Sequence, residues 1–230
     1  MPSARPPAVC VAAALLLPMA ALAARPLVTE DAGVLAPRDC ELEGFGGHQR
    51  QDTTEVTAGA QVGCGVGYGT QATLGFTRAQ ESEEPSTRAV SLGLKTSLPW
   101  WAAGPADWAI AMTLGHERRV GGHTAELTAN VVLVATGKLS EAFTWHANLG
   151  WLNSRPMRVT TTTWNLAGEW AASPLLDVTA ECYGDDRARP WLAAGLRLNA
   201  GTHWSVNAAY GAQPTEPHAR QLTAGVKLAF

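Results

Sequence analysis

The stretch Gln221-Leu222-Thr223-Ala224-Gly225-Val226-Lys227-Leu228-Ala229-Phe230 alternates at every step. In an extended chain Leu222, Ala224, Val226, Leu228 and Phe230 share one face, and Gln221, Thr223, Gly225 and Lys227 share the other. The same period of two recurs upstream. Phe143, Trp145, Ala147, Leu149 and Trp151 alternate with Thr144, His146, Asn148 and Gly150, and Val90, Leu92 and Leu94 with Ser91, Gly93 and Lys95. No segment after residue 38 keeps a helical period, so the sequence predicts about twelve strands over residues 39–230.

Alternation also suits a soluble sandwich, and four features separate the two. The strands are long, near the 9–11 residues a tilted strand needs to cross a bilayer, and their count is even. Their connections alternate in character. Gly67-Tyr68-Gly69, Lys138-Leu139-Ser140, Ser173-Pro174 and Ala200-Gly201 are short, whereas 80–86, 117–122 and 184–189 are longer and charged. The 99–106 connection, with Trp100 and Trp101, is the exception. Aromatics gather near strand ends, with Trp100, Trp101, Trp108, Trp170, Trp204 and Phe230 at one rim and Trp151 and Trp191 nearer the other. The expected fold is an all-β, closed antiparallel up-and-down transmembrane β-barrel.

Composition agrees. Of 230 residues only 16% are charged, against roughly 25% in soluble domains, while 9 Trp and 23 Gly are generous. A net charge of -3 without a basic stripe excludes nucleic acid as a partner. The chain opens with Arg5, an apolar run from Ala8 to Ala24 interrupted by Pro18, and a small-residue exit at Ala21-Leu22-Ala23-Ala24. This is the pattern of a secretory signal peptide over 1–24, too short for a membrane anchor. Residues 25–38 are then either a periplasmic N-terminal extension or a lumen plug, and the barrel occupies 39–230.

Export puts Cys40, Cys64 and Cys182 in an oxidising compartment. Antiparallel partners have residue numbers of constant sum, and a turn centred near residue 52 sets Cys40 opposite Cys64 on one face, so a disulfide is expected there. Cys182 alternates with Leu176, Val178 and Ala180 on the lipid face and is left as a free thiol.

The polar face lines the lumen. Its candidate residues are Glu41, Glu43, Lys95, Glu126, His146, Asn148, Asn165, Glu169, Asp177, Glu181, Arg197 and Lys227, with Gly93, Ala109, Ala111, Gly115 and Gly150 leaving space between them. Turns about residues 173 and 187 would set Asp177 opposite both Glu169 and Arg197, two carboxylates beside one guanidinium. Such a cluster either braces the wall or binds a passing solute. The histidines are scattered, and neither a G-x-S-x-G nor an inward Ser–His pair appears, so no enzyme, cofactor or catalytic site is expected. His116, Glu117 and His123 flank one outer loop and read as solvated residues, not metal ligands.

The leader, the terminal alternating strand and Phe230 resemble the ending by which Gram-negative outer-membrane barrels are recognised by their insertion machinery. Thr29-Glu30-Asp31-Ala32-Gly33, followed by Pro37 and Glu41-Leu42-Glu43, resembles the start of the outer-membrane transporters grouped as the phenol-degradation (meta-pathway) family. That family brings no catalytic residues to carry over. Together these resemblances imply residence among outer-membrane lipids and a small polar or aromatic solute. The expected function is a porin-like channel or transporter working by passive diffusion, with a non-conducting structural or adhesive barrel as the alternative.

Overall fold

The computed structural model describes residues 27–82, 84–101, 104–122, 125–155, 159–215 and 218–230. The leader expected over 1–24 and His123 lie outside the described residues. Twelve strands form one sheet: β1 (Cys40–Arg50), β2 (Thr54–Gly67), β3 (Thr70–Glu81), β4 (Thr87–Ser97), β5 (Ala106–Arg119), β6 (Ala125–Lys138), β7 (Phe143–Ser154), β8 (Val159–Ser173), β9 (Leu176–Asp185), β10 (Trp191–Ala200), β11 (Trp204–Ala212) and β12 (Arg220–Ala229). Each is antiparallel to the next, and β1 pairs with β12 to close the barrel. Closure satisfies the backbone of every strand on both sides, which a sheet immersed in hydrocarbon requires.

The side chains are distributed inside out. Leu42, Leu74, Leu92, Leu114, Leu166, Leu196 and Leu222 are exposed on the exterior, while Glu43, Lys95, His146, Asp177 and Glu181 are buried within. Water would disfavour such an exterior and lipid favours it. Large rings of β7 also mend the wall where it lacks side chains. Phe143 lies against Gly168, and Trp145 against Gly137, so closely that a Cβ at either glycine would strike the ring at under 3 Å.

One rim carries the β2–β3, β4–β5, β6–β7, β8–β9 and β10–β11 turns, and is called the short-turn rim below. The turn at Pro99–Trp101 is a single 3-10 turn whose Trp101 meets Trp108 edge to face at 6.1 Å. The opposite, long-loop rim differs from the sequence expectation. Trp191 is not part of an outer aromatic belt. It is 7% exposed, faces inward and stacks on Tyr183 with ring centroids 6.3 Å apart. Its position explains this, because Trp191 shares the parity of Ala193 and Arg197, the inward face of β10.

Cys40 and Cys64 are paired in register on β1 and β2 and joined by a disulfide with a Cα–Cα distance of 4.1 Å. Cys40 spends its own N–H and C=O on Phe230 at 2.8 and 2.9 Å, so it meets Cys64 in a close, non-hydrogen-bonded pair. Cys182 is a free thiol.

Candidate functional site

The lumen holds two charged groups of wall residues. On β10, Arg197 lies opposite Asp177 of β9, and its guanidinium donates to Asp177 Oδ2 from Nε at 2.9 Å and to the Glu169 carboxylate from Nη2. Asn199 Nδ2 donates to the same Asp177 oxygen at 2.8 Å. Glu169 is not opposite Asp177 as a simple hairpin predicts. A register shift between Ala171 and Ser173 of β8 sets Glu169 opposite Thr179 and Ala171 opposite Asp177. The three charges still meet, because the guanidinium fork spans the offset. In the second group Lys227 of β12 pairs with Glu41 of β1 at 3.4 Å, and Gln61 donates to the neighbouring Glu43.

The lumen also holds a stretch of chain without strand structure, residues 27–36. It is not free in the lumen, because wall side chains satisfy its backbone one group after another. Glu181 accepts the N–H groups of Val28 and Thr29 at 2.9 and 3.0 Å and the Thr29 hydroxyl at 2.8 Å. Asn148 brackets Glu30, accepting from its N–H at 2.8 Å and donating to its carbonyl at 3.0 Å. Asn165 donates to the Val28 carbonyl at 3.5 Å, Thr136 accepts from Ala32 N–H at 2.9 Å, and Gln71 accepts from Leu35 N–H at 3.1 Å. Lys95 Nζ donates to Glu30 Oε2 at 3.3 Å and to the Asp31 carbonyl at 3.1 Å. His146 stands behind Thr136 at 2.9 Å.

The interior has apolar patches that the expected polar lumen did not include. Ala32 packs into a small cluster with Ala109, Ala111, Val132 and Val134, and Val28 lies against Tyr183, Trp191, Ala193 and Ala219. The space expected beside Ala109 and Ala111 is thus occupied by Ala32. Parity alone would have placed Val132, Val134, Tyr183 and Trp191 inside. Nothing in the 27–36 composition signals where that stretch goes.

The stretch divides the lumen unequally. A cavity of about 720 Å³ reaches the short-turn rim on the β7–β12 side, lined by Glu169, Arg197, Asn199, Ser205, Lys227 and His146 together with Asp31 and the turn residues Pro99 and His203. A smaller cavity of about 60 Å³ lies among Glu30, Glu41, Glu43, Gln71 and Lys95. Toward the long-loop rim, Leu152, Ser154, Thr161 and the Tyr183–Trp191 pair are buried. Glu126 stands apart from both charged groups, opposite Glu117 near that rim. Next to Glu117, His116 is exposed on the outer face, so the two do not converge; among the described residues no group of ligands could hold a metal ion.

Comparison with known proteins gives the same architecture. Over residues 11–230 the sequence matches the family described as Uncharacterised conserved protein UCP029691. No curated protein matches it. The KdgM porin, solved in complex with disordered oligogalacturonate, superposes with a TM-score of 0.61 at 9% identity, covering 82% of this chain and 99% of that one. The NanC porin gives 0.57 at 10% identity over 81% and 98% of the two chains. Omp33, an outer membrane protein of Acinetobacter baumannii, gives 0.55 at 10% identity over 84% and 98%. The fold is that of Gram-negative outer-membrane porins.

Proposed function

From the premise that the chain belongs to the family Uncharacterised conserved protein UCP029691 and has the porin fold, we propose that it is an outer-membrane channel passing small solutes by passive diffusion. The observation that carries this reading is the cavity of about 720 Å³ beside Glu169, Arg197 and Lys227, a polar, charged space inside a lipid-facing wall. Lumen carboxylates at Glu41, Glu43, Glu126, Glu169, Asp177 and Glu181 outnumber the cations Lys95, Arg197 and Lys227. Such a lining favours cations and neutral polar molecules over anions, the opposite of what a polyanion such as oligogalacturonate needs.

Resemblance of the 29–43 region to phenol-degradation transporters adds small aromatic solutes to those worth testing. The leader directs export, and the alternating strand ending in Phe230 is the segment that the barrel-insertion machinery would read. One observation favours the structural alternative, namely that residues 27–36 occupy the lumen.

Planar-bilayer recording separates the two readings. A channel gives small, steady conductance, with a reversal potential in a salt gradient displaced toward the cation value. A tight seal from folded protein, persisting in variants that release residues 27–36, would leave the structural role.

A further inference from the structure

We propose that residues 27–36 form a tethered gate, an arm anchored at Pro37–Cys40 that leaves the lumen when its tip is released. The inference rests on the channel reading above. Its base is fixed. Pro37 bridges to Gly65, Gly65 N–H donates to Asp39 at 2.9 Å, and the Cys40–Cys64 disulfide pins β1 to β2 one residue further on. The chain turns into the lumen through Arg38, whose φ of +79° is a sharp left-handed corner. It then crosses β2 so closely that a Cβ at Gly65 would lie 2.0 Å from the Ala36 carbonyl oxygen. The corner is therefore built in, and glycine is required at the crossing.

Beyond that corner the arm belongs to no ladder. Its links to the wall run through side chains, Gln71, Lys95, Thr136, Asn148, Asn165 and Glu181, and water in an adjoining polar cavity can replace each of them. Apolar anchorage comes from Ala32 midway and from Leu27 and Val28 at the tip, with Val34 and Leu35 half-buried nearer the base. Lys95 is the latch that matters most. It pairs with Glu30 and Asp31, and Glu30 shares its pocket with Glu41 and Glu43, so that without Lys95 the arm would set its carboxylates beside those of the wall with Lys227 on Glu41 as the neighbouring cation. The arm also separates the large cavity from the small one, so its departure joins them into one wider path.

The test uses the mature chain, residues 25–230, with Cys182→Ser, refolded in planar bilayers. In this background Ala32→Cys and Thr136→Cys lock the arm to β6 at the site where Ala32 N–H meets Thr136 Oγ1 at 2.9 Å. The gate predicts that reducing the locked variant raises its conductance severalfold while the parent, equally reduced, does not change. It also predicts that Lys95→Gln raises time-averaged conductance severalfold without any cross-link. Equal conductance of the locked and reduced forms and of Lys95→Gln, with the parent conducting, overturns the gate and leaves the channel standing. Silence from every variant that shows the gel mobility of a folded barrel overturns both.

Discussion

Arg197 meets Glu169 and Asp177 at once, so the charge it neutralises exceeds its own. Removing the guanidinium leaves the Glu169 and Asp177 carboxylates facing each other beside the cavity, and Arg197→Met is expected to cost about 2 kcal/mol in urea titrations of the lipid-embedded barrel. Arg197→Glu keeps the length of the wall but replaces the cation with a third carboxylate. Its reversal potential in a salt gradient should move further toward the cation value, and an unchanged potential would assign the group to bracing the wall. Outside the spanning strands, Asp186 accepts from the Thr161 hydroxyl and, at 3.1 Å, from the Thr162 N–H, which hold its carboxyl below the ordinary carboxylate range. A group depressed in this way contributes stability above its unfolded pKa and loses it as pH falls through the folded value. Protection of the Thr162 amide from hydrogen exchange should therefore survive mild acid and fail only below that ordinary range. In Thr161→Val it should fail within the range.

At the scale of elements, the β1–β2 hairpin keeps one register from Cys40↔Cys64 to Arg50↔Thr54, and the disulfide closes it across 24 positions. In the chain-entropy account a loop of that length is worth about 3 kcal/mol, so Cys40→Ser with Cys64→Ser should lower unfolding stability by that order. Thiol counting on denatured, unreduced mature protein should find Cys182 alone; three thiols would exclude the bond. This pairing was legible in the sequence because the hairpin has no irregularity and the sum of paired numbers holds. The same arithmetic misplaced Glu169, since the β8–β9 turn is centred beyond residue 173 and a bulge near Ser173 then steps the register by one, and neither leaves a mark in the hydrophobic pattern. Trp191 was legible by parity, yet its type and its nearness to a strand end argued for an outer belt. For residues 27–36 the sequence left a periplasmic extension and a lumen plug equally open, because periodicity reports only on chain that belongs to a ladder, and theirs is bonded by side chains drawn from six strands.

For the whole molecule, an apolar outer surface and a polar, hydrogen-bonded interior make a wall with no exposed edge. Folded protein should fractionate with the outer membrane and migrate faster on a gel before boiling than after, since detergent has no unpaired strand from which to open the sheet. Recovery as a soluble periplasmic protein would contradict the lipid-facing exterior. The seam between β1 and β12 also governs the order of assembly. Every other strand pair joins neighbours in sequence, whereas the seam brings Cys40 to Phe230 across the entire array and has the largest loop-closure cost. On that cost it is expected to form last, and until then β1 and β12 are both open edges able to recruit a second chain. The interval before the seam shuts is when this protein is most exposed to aggregation, and substitutions in β12 should lengthen that interval before they weaken the finished barrel.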